Sequence, residues 1–438
     1  MKTCTVTVRE HARLTTGSCI DTLDTHHVSS TAFDWLCTLQ SRLRPGGASL
    51  LEVEGRQWLR LDSLVGVIQT PCGTTIEILP KTHDHEGDAS SSRAMLRKMV
   101  ASLLDLPAKE AGVAALEHFD VPLTEWVMGQ FLLTLQRLVQ QGLRQDYARL
   151  EEELPYLRGQ LHTTAQMRQP PGRAHHFHVR HDVFVPDRAE NRLLKLALER
   201  VRRATNQADN WRLAQELSAR LHEVPASTQP QQDWRAWSHT RLMQRYQPIY
   251  PWCQLVLGEG MPVALAGDQL GLSLLFPMEK LFESYVARWL LKNLPQHLCL
   301  TSQAASEYLC WHDGRRMFQL RPDLLLRDHN GTAAMVLDTK WKRLEADNRA
   351  NNYGLAQGDF YQMLAYGQRY LTGQGKLALI YPAWTGFDVS LPIFEMGPGL
   401  QMEVLRFDLE NDQLCVSDSF WHPSRQCCGV SSTCTMLC

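Results

Sequence analysis

An Asn-Gly pair at positions 330 and 331, set between two short apolar runs, constrains this chain more than any other feature of it. Leu324-Leu325-Leu326 precedes the pair and Ala333-Ala334-Met335-Val336-Leu337 follows it. Asn-Gly favours the two-residue type I′ turn, in which both central residues need positive φ. With that turn the spacing predicts a hairpin that sets Asp323 opposite Asp338. Lys340, two residues on, shares a face with Asp338 because strand side chains alternate. Directly opposed side chains have Cβ atoms roughly 4.5–5.5 Å apart, where like charges destabilise the pair. Two carboxylates so placed want a cation between them. Hard oxygen ligands with an open coordination sphere suit Mg2+.

The competing reading is a surface hairpin with scattered charges. Two observations weigh against it. Among the ten lysines, Lys340 alone has an acid two residues before it. Asp338 and Lys340 also end an otherwise apolar strand, where charge is costly unless it is used.

At 438 residues the chain is too long for one ordinary core, and two or three domains are expected. The net charge of −2 gives no global attraction to nucleic acid, so any basic surface must be local. Met1–Val8 lacks the apolar core of a signal peptide, and no apolar run approaches membrane-spanning length. The twelve cysteines are scattered without a Cys-x-x-Cys pair, which fits free thiols and a cytoplasmic location.

Residues 1–81 read as a β-rich module without a catalytic constellation. Residues 82–275 read as mostly helical, with Trp126, Val127, Phe131, Leu132, Leu135 and Leu138 as one core face. The polar loop 82–92 carries His83, His85 and several acids, and reads as a loop rather than a metal site. Between Arg158 and Arg203 ten basic residues face four acidic ones, which is either a phosphate- or partner-facing patch or a solvated helix face. His175, His176, His178 and His181 lie there without assured convergence on a metal. Asp187 is placed to cap the helix that follows it, and Pro225–Gln232 is the best linker candidate. Residues 276–415 read as an α/β domain of order αβββαβ. A helix at Pro277–Leu294 leads to strands near 299–309, 316–326 and 333–341, then a helix at Gln357–Leu371 and a strand at Lys376–Tyr381. The fold class is therefore α+β and multidomain, with a Cys-containing tail, 416–438, expected to be disordered.

Pro322-Asp323, Asp338-Thr339-Lys340 and Gln362-Met363-Leu364-Ala365-Tyr366 together resemble the PD-(D/E)xK nuclease motif and the Gln-x-x-x-Tyr motif of its RecB-like branch. The wider set resembles the McrC family, the nuclease subunit of McrBC modification-dependent restriction systems. Val8–Leu14, Ile76–Lys81, Val185–Leu194 and Leu281–Val286 carry that likeness over most of the chain. The tail from Cys427 onward departs from the family.

The resemblance implies a Mg2+-dependent endonuclease. Asp323 and Asp338 would hold the metal with the Thr339 carbonyl, and Lys340 would orient or help deprotonate the attacking water. Glu283 would complete the acidic site, while Gln362 and Tyr366, at i and i+4 of one helix, would help position DNA. The implied partners are modified double-stranded DNA and a McrB-like AAA+ GTPase hexamer, with residues 1–81 docking on that ring. No phosphate-binding Gly-x-x-x-x-Gly-Lys-Ser/Thr sequence occurs, so nucleotide hydrolysis must come from another chain. The alternative is a scaffold and GTPase activator with a vestigial nuclease domain, against which the intact Asp/Asp/Lys set argues.

Overall fold

The computed structural model describes residues 4–42, 50–81, 89–104, 121–173, 175–258, 273–416 and 418–421. The loop residues 82–88 and the tail 422–438 lie outside them. Among the described residues no helix is long and apolar enough to cross a membrane.

Two small sheets build the N-terminal region. Strands Cys4–Arg9, Thr74–Leu79 and Leu64–Gln69 lie side by side, and Leu274–Pro277 completes that sheet against Leu64–Gln69. The last strand comes from some two hundred residues later. Its approach is close: a Cβ at Gly66, where φ is +131°, would sit 1.9 Å from the Leu274 carbonyl oxygen. Only glycine fits there. Helix Ser30–Arg42 lays Ala32, Phe33 and Leu36 against Val8, Ile76, Ile78 and Leu275. The expected boundary at 275/276 thus falls inside a strand that leads straight into helix Met278–Asn293.

The middle region holds helices Ala89–Leu103, Leu123–Gln141, Ala189–Ala204, Ala208–Arg220 and Tyr250–Leu257. It also contains a three-stranded antiparallel sheet of Asp146–Leu154, Phe177–Val185 and Gln160–Leu161. Asp187 does not cap its helix; it pairs with Arg192 at 2.7 Å, and the first turn has no side-chain cap. Buried Asn191 does structural work there. Its amide donates to the Arg144 and Pro186 carbonyls at 2.8 Å each and its oxygen accepts from the Tyr246 hydroxyl at 2.7 Å. Nor is Pro225–Gln232 a linker. Ser227 is buried and donates to Asp233 at 2.6 Å, and helix Pro230–Ala236 follows at once.

The C-terminal sheet has seven strands, in the order Leu298–Ser302, Leu324–Asp328, Ala333–Thr339, Gly375–Pro382, Leu400–Asp408 and Phe394–Gly397, with Gln413–Cys415 also on Leu400–Asp408. Its first three strands pair antiparallel, and the next two add in parallel. Helices Met278–Asn293 and Gln357–Tyr370 supply Leu281, Phe282 and Met363 to its cores.

Two expectations about these strands change. The strands placed near 299–309 and 316–326 are each shorter, because a separate hairpin, Tyr308–His312 with Arg315–Gln319, intervenes. The I′ turn also sits elsewhere. Asp313 (φ +48°) and Gly314 (φ +72°) both adopt positive φ, whereas at the Asn-Gly pair only Gly331 does, at +80°. That loop is one residue longer than expected, with Gly331 N–H donating to the Asp328 carbonyl. A bulge between Leu326 and Arg327 absorbs the extra residue and restores Leu324 opposite Leu337. The register near the acids is as expected, for a reason other than the turn.

Candidate active site

Asp323 immediately precedes strand Leu324–Asp328, and Asp338 lies near the end of Ala333–Thr339. The restored register carries them to adjoining strands at one end of the sheet. One Asp323 oxygen accepts from the Thr339 backbone N–H at 2.9 Å and from its hydroxyl at 2.8 Å. Asp338 is only 1% exposed. Burial, with the Asp323 charge beside it, pushes its carboxyl up to about 6, against the pull of Lys340.

The Lys340 ammonium is 2.6 Å from Asp338, 3.8 Å from Asp359 and 3.1 Å from the Gln362 carbonyl oxygen. Burial opposes its charge, yet Asp338 and the other two acids raise its pKa above the ordinary lysine value. The Gln362 amide donates to the Tyr366 hydroxyl at 2.7 Å, and that hydroxyl donates to the Arg321 carbonyl at 3.0 Å. Helix Gln357–Tyr370 therefore braces both the lysine and the chain entering Asp323.

Glu283, on helix Met278–Asn293, joins through Gln303, whose amide donates to Glu283 and, at 3.3 Å, to Asp323. Lys280 covers its other side at 2.7 Å. All the expected site residues are thus connected, but sequence reasoning missed Gln303, Lys280 and Asp359. Asp359 had a local signal, lying three residues before Gln362 in the first helical turn. Gln303 had none; its φ of +50° and its partners 20 residues away on either side are tertiary facts.

The carboxylates suit a hard divalent cation. Asp338 is buried beside a like charge, and the amine of Lys340 is what now offsets it. Among the described residues no three His, Cys, Asp or Glu converge to hold a metal. At this edge two carboxylates meet, a number that Mg2+ accepts because it keeps waters and substrate oxygens in its shell. The same observation covers the histidine cluster, where His181 is buried against Glu152 at 3.2 Å.

The site is also tied to the N-terminal region. The Trp341 indole, one residue past Lys340, donates to buried Glu10 at 2.9 and 3.1 Å. Glu10 also accepts from Lys81 N–H at 2.8 Å, and Arg343 donates to the Lys81 carbonyl at 2.8 Å. Burial raises the Glu10 pKa. A cavity of about 190 Å3 opens at this seam, bounded in part by Lys81, Trp341 and Trp384.

Fold and site together define a mixed α/β protein with two carboxylates and a lysine at one end of its largest sheet. The family model for the McrBC 5-methylcytosine restriction system component matches residues 59–382, and the chain belongs to that family. A comparison with curated proteins finds no match. A chain of the half-complex from a tetradecameric assembly of Thermococcus gammatolerans McrB AAA+ hexamers with bound McrC is similar in fold. Its TM-score is 0.68 at 18% identity, with 95% of this chain and 97% of that one covered. A chain of the cryo-EM structure of the Thermococcus gammatolerans McrBC complex matches at 20% identity and TM-score 0.49, covering 67% of this chain and 88% of that one.

Proposed function

We propose that this chain is the nuclease subunit of a modification-dependent restriction complex, cutting DNA with Mg2+ and acting with a McrB-like AAA+ GTPase ring. One observation carries the reading: a 1%-exposed Asp338, raised to about 6, lies beside Asp323 and within 2.6 Å of Lys340. A structural role alone does not account for such charge in an apolar strand, since a methionine or leucine there would be cheaper. With the separate hairpin Tyr308–Gln319 set aside, the helix, three sheet strands, helix and strand around it support the reading of a PD-(D/E)xK nuclease core.

In this reading Asp323 and Asp338 would hold Mg2+ with the Thr339 carbonyl. Bound there, the ion would supply Lewis-acid chemistry at the phosphate and the attacking water. Thr339 fixes one oxygen of Asp323, leaving the other turned to Gln303. Lys340, steadied by Gln362, faces the same space as Asp338 and supplies positive charge where charge grows on the phosphate. Glu283 reaches that space through Gln303, in position to hold a water.

The test is reconstitution with the ring partner and a Mg2+- and GTP-dependent cleavage assay on modified DNA. Loss of cutting in Lys340→Ala, with GTPase stimulation retained, is the expected result; full cutting would refute the assignment. Residues 1–81 as the docking module need a subtler test than deletion. Removing them would strip Leu274–Pro277 of its strand partner and Trp341 of Glu10. Charge reversals on the exposed face of that region, scored by GTPase stimulation, keep the fold.

A further inference from the structure

Among the described residues, the hairpin Tyr308–His312 with Arg315–Gln319 pairs only with itself. Every residue of its second strand is exposed, and Trp311 and Phe318 are 58% and 66% exposed. A lone two-stranded ribbon is marginal in water, so an exposed one with large flat side chains points to something that covers it. Its charges point to what that is. Arg315, Arg316 and Arg321 make no ion pair with any carboxylate among the described residues, and Asp313 at the tip is the ribbon's one acid. The Arg316 guanidinium lies 5.5 Å from the Tyr308 ring centre and 5.1 Å from that of Trp311, held in place by the rings with its donors unspent on acids.

The root of the ribbon is rigid. The Gln319 amide donates to the Ala305 carbonyl at 2.7 Å, and Leu320 N–H to the Glu307 carbonyl at 2.9 Å. The Tyr370 hydroxyl reaches the Leu320 and Ala304 carbonyls at 2.9 and 3.0 Å, from the helix that also carries Gln362 and Tyr366. From Gln319 the chain runs through Leu320, Arg321 and Pro322 into Asp323. Five strand residues span roughly 17 Å and those four steps at most about 14 Å, so the tip lies within about one turn of B-DNA of the acidic edge.

We propose that this hairpin is a DNA-contacting ribbon, seated in a groove of the duplex within one helical turn of the scissile phosphate. It rests on the nuclease reading above and adds to it the surface that holds substrate in register. Free arginines suit phosphates, flat aromatic edges suit sugars and bases, and a two-stranded ribbon has the width of the major groove. An acidic protein surface would also meet the arginines but offers less for Trp311 and Phe318.

The test uses the full chain, alone and with its ring partner. Arg316→Ala and Trp311→Ala are made separately, since both side chains are on the outside and neither supports the core. Binding to a duplex oligonucleotide is followed by fluorescence anisotropy across a salt series without Mg2+. Both variants are expected to bind about tenfold more weakly, and Arg316→Ala to flatten the dependence of log K on log salt by about one. Cleavage should fall in parallel while GTPase stimulation stays at the wild-type level. Unchanged affinity and slope would overturn the proposal, as would loss of self-association by sedimentation with DNA binding intact, which would make the ribbon a contact between copies. Because binding is read without metal, the outcome is separable from the nuclease reading, which fails instead if Asp338→Asn still cuts.

Discussion

Two parts of this chain are dense in charge, and they treat it in opposite ways. The stretch Arg158–Arg203 has a basic excess of six charges by sequence, yet most of its cations are partnered. Arg173 and Arg180 pair with Glu153 and Glu151, Arg188 with Asp146 and Glu190, and Arg192 with Asp187 and Asp233. Lys195 donates to the Leu221 carbonyl at 3.0 Å. Three of those acids come from strand Asp146–Leu154, outside the stretch itself. At the acidic edge of the C-terminal sheet, Asp323 and Asp338 lie side by side with one lysine paired to Asp338, and the buried acid is strongly perturbed. Compensated charge holds a fold together; charge left in conflict is a site waiting for a ligand.

The sharpest way to break the contrast is to remove charge at each place. Lys340→Ala or Asp338→Asn should lower cleavage by at least about a thousandfold, on the order of 4 kcal/mol of transition-state stabilisation. Neither should unfold the protein. Asp338→Asn should hold or raise the melting temperature in the absence of Mg2+, because it removes a buried charge. A large drop in that temperature would make the acid structural.

The pH dependence sharpens the same point. With its carboxyl raised from 3.8 to about 6, native Asp338 holds a proton that the unfolded chain has released. Between those values stability therefore falls as pH rises, by up to about 3 kcal/mol in the metal-free protein. Mg2+ has to displace that proton, so its affinity should climb as pH rises through about 6 and level off above. Calorimetric titration at pH 5, 6, 7 and 8 reads this directly, and a flat profile would contradict it.

Asp233→Ala is the converse experiment. Its carboxylate accepts from Ser227 at 2.6 Å and from Arg192, and it is 6% exposed. Loss of about 2–4 kcal/mol in denaturant unfolding is expected, with cleavage per folded molecule unchanged. Gln362→Ala should act more mildly, slowing cleavage about tenfold while leaving Mg2+ affinity alone, since the amide contacts Lys340 and Tyr366 and not the carboxylates. Loss of metal affinity as severe as in Asp323→Ala would place it among the ligands. The smallest effect belongs to Arg158→Ala and Arg168→Ala, two exposed cations of the basic stretch, which should change neither stability nor DNA binding measurably.

Much of the site was legible because strand geometry is local. Strand alternation puts Lys340 on the face of Asp338, the two apolar runs mark the strands that carry Asp323 and Asp338, and four residues of helix put Gln362 over Tyr366. The family motifs added Glu283. The turn itself was misplaced: Asp313-Gly314 carried an equally good I′ signal and took that geometry, while the Asn-Gly loop gained a residue that a bulge then removed.

What the sequence determined by itself is the set of short-range facts: the apolar runs, the acids and lysine two residues apart, and the helix faces. Only the tertiary structure decided that Leu274–Pro277 closes the N-terminal sheet, that Glu10 holds Trp341, that Gln303 bridges Glu283 to Asp323, and that most cations of the basic stretch are paired. The reason is the range of the interaction. Backbone periodicity repeats every two or 3.6 residues and is written into any short window. Pairings between groups tens to hundreds of residues apart are chosen by which packing of the whole chain buries its apolar faces while satisfying every buried charge, and no window of sequence contains that comparison.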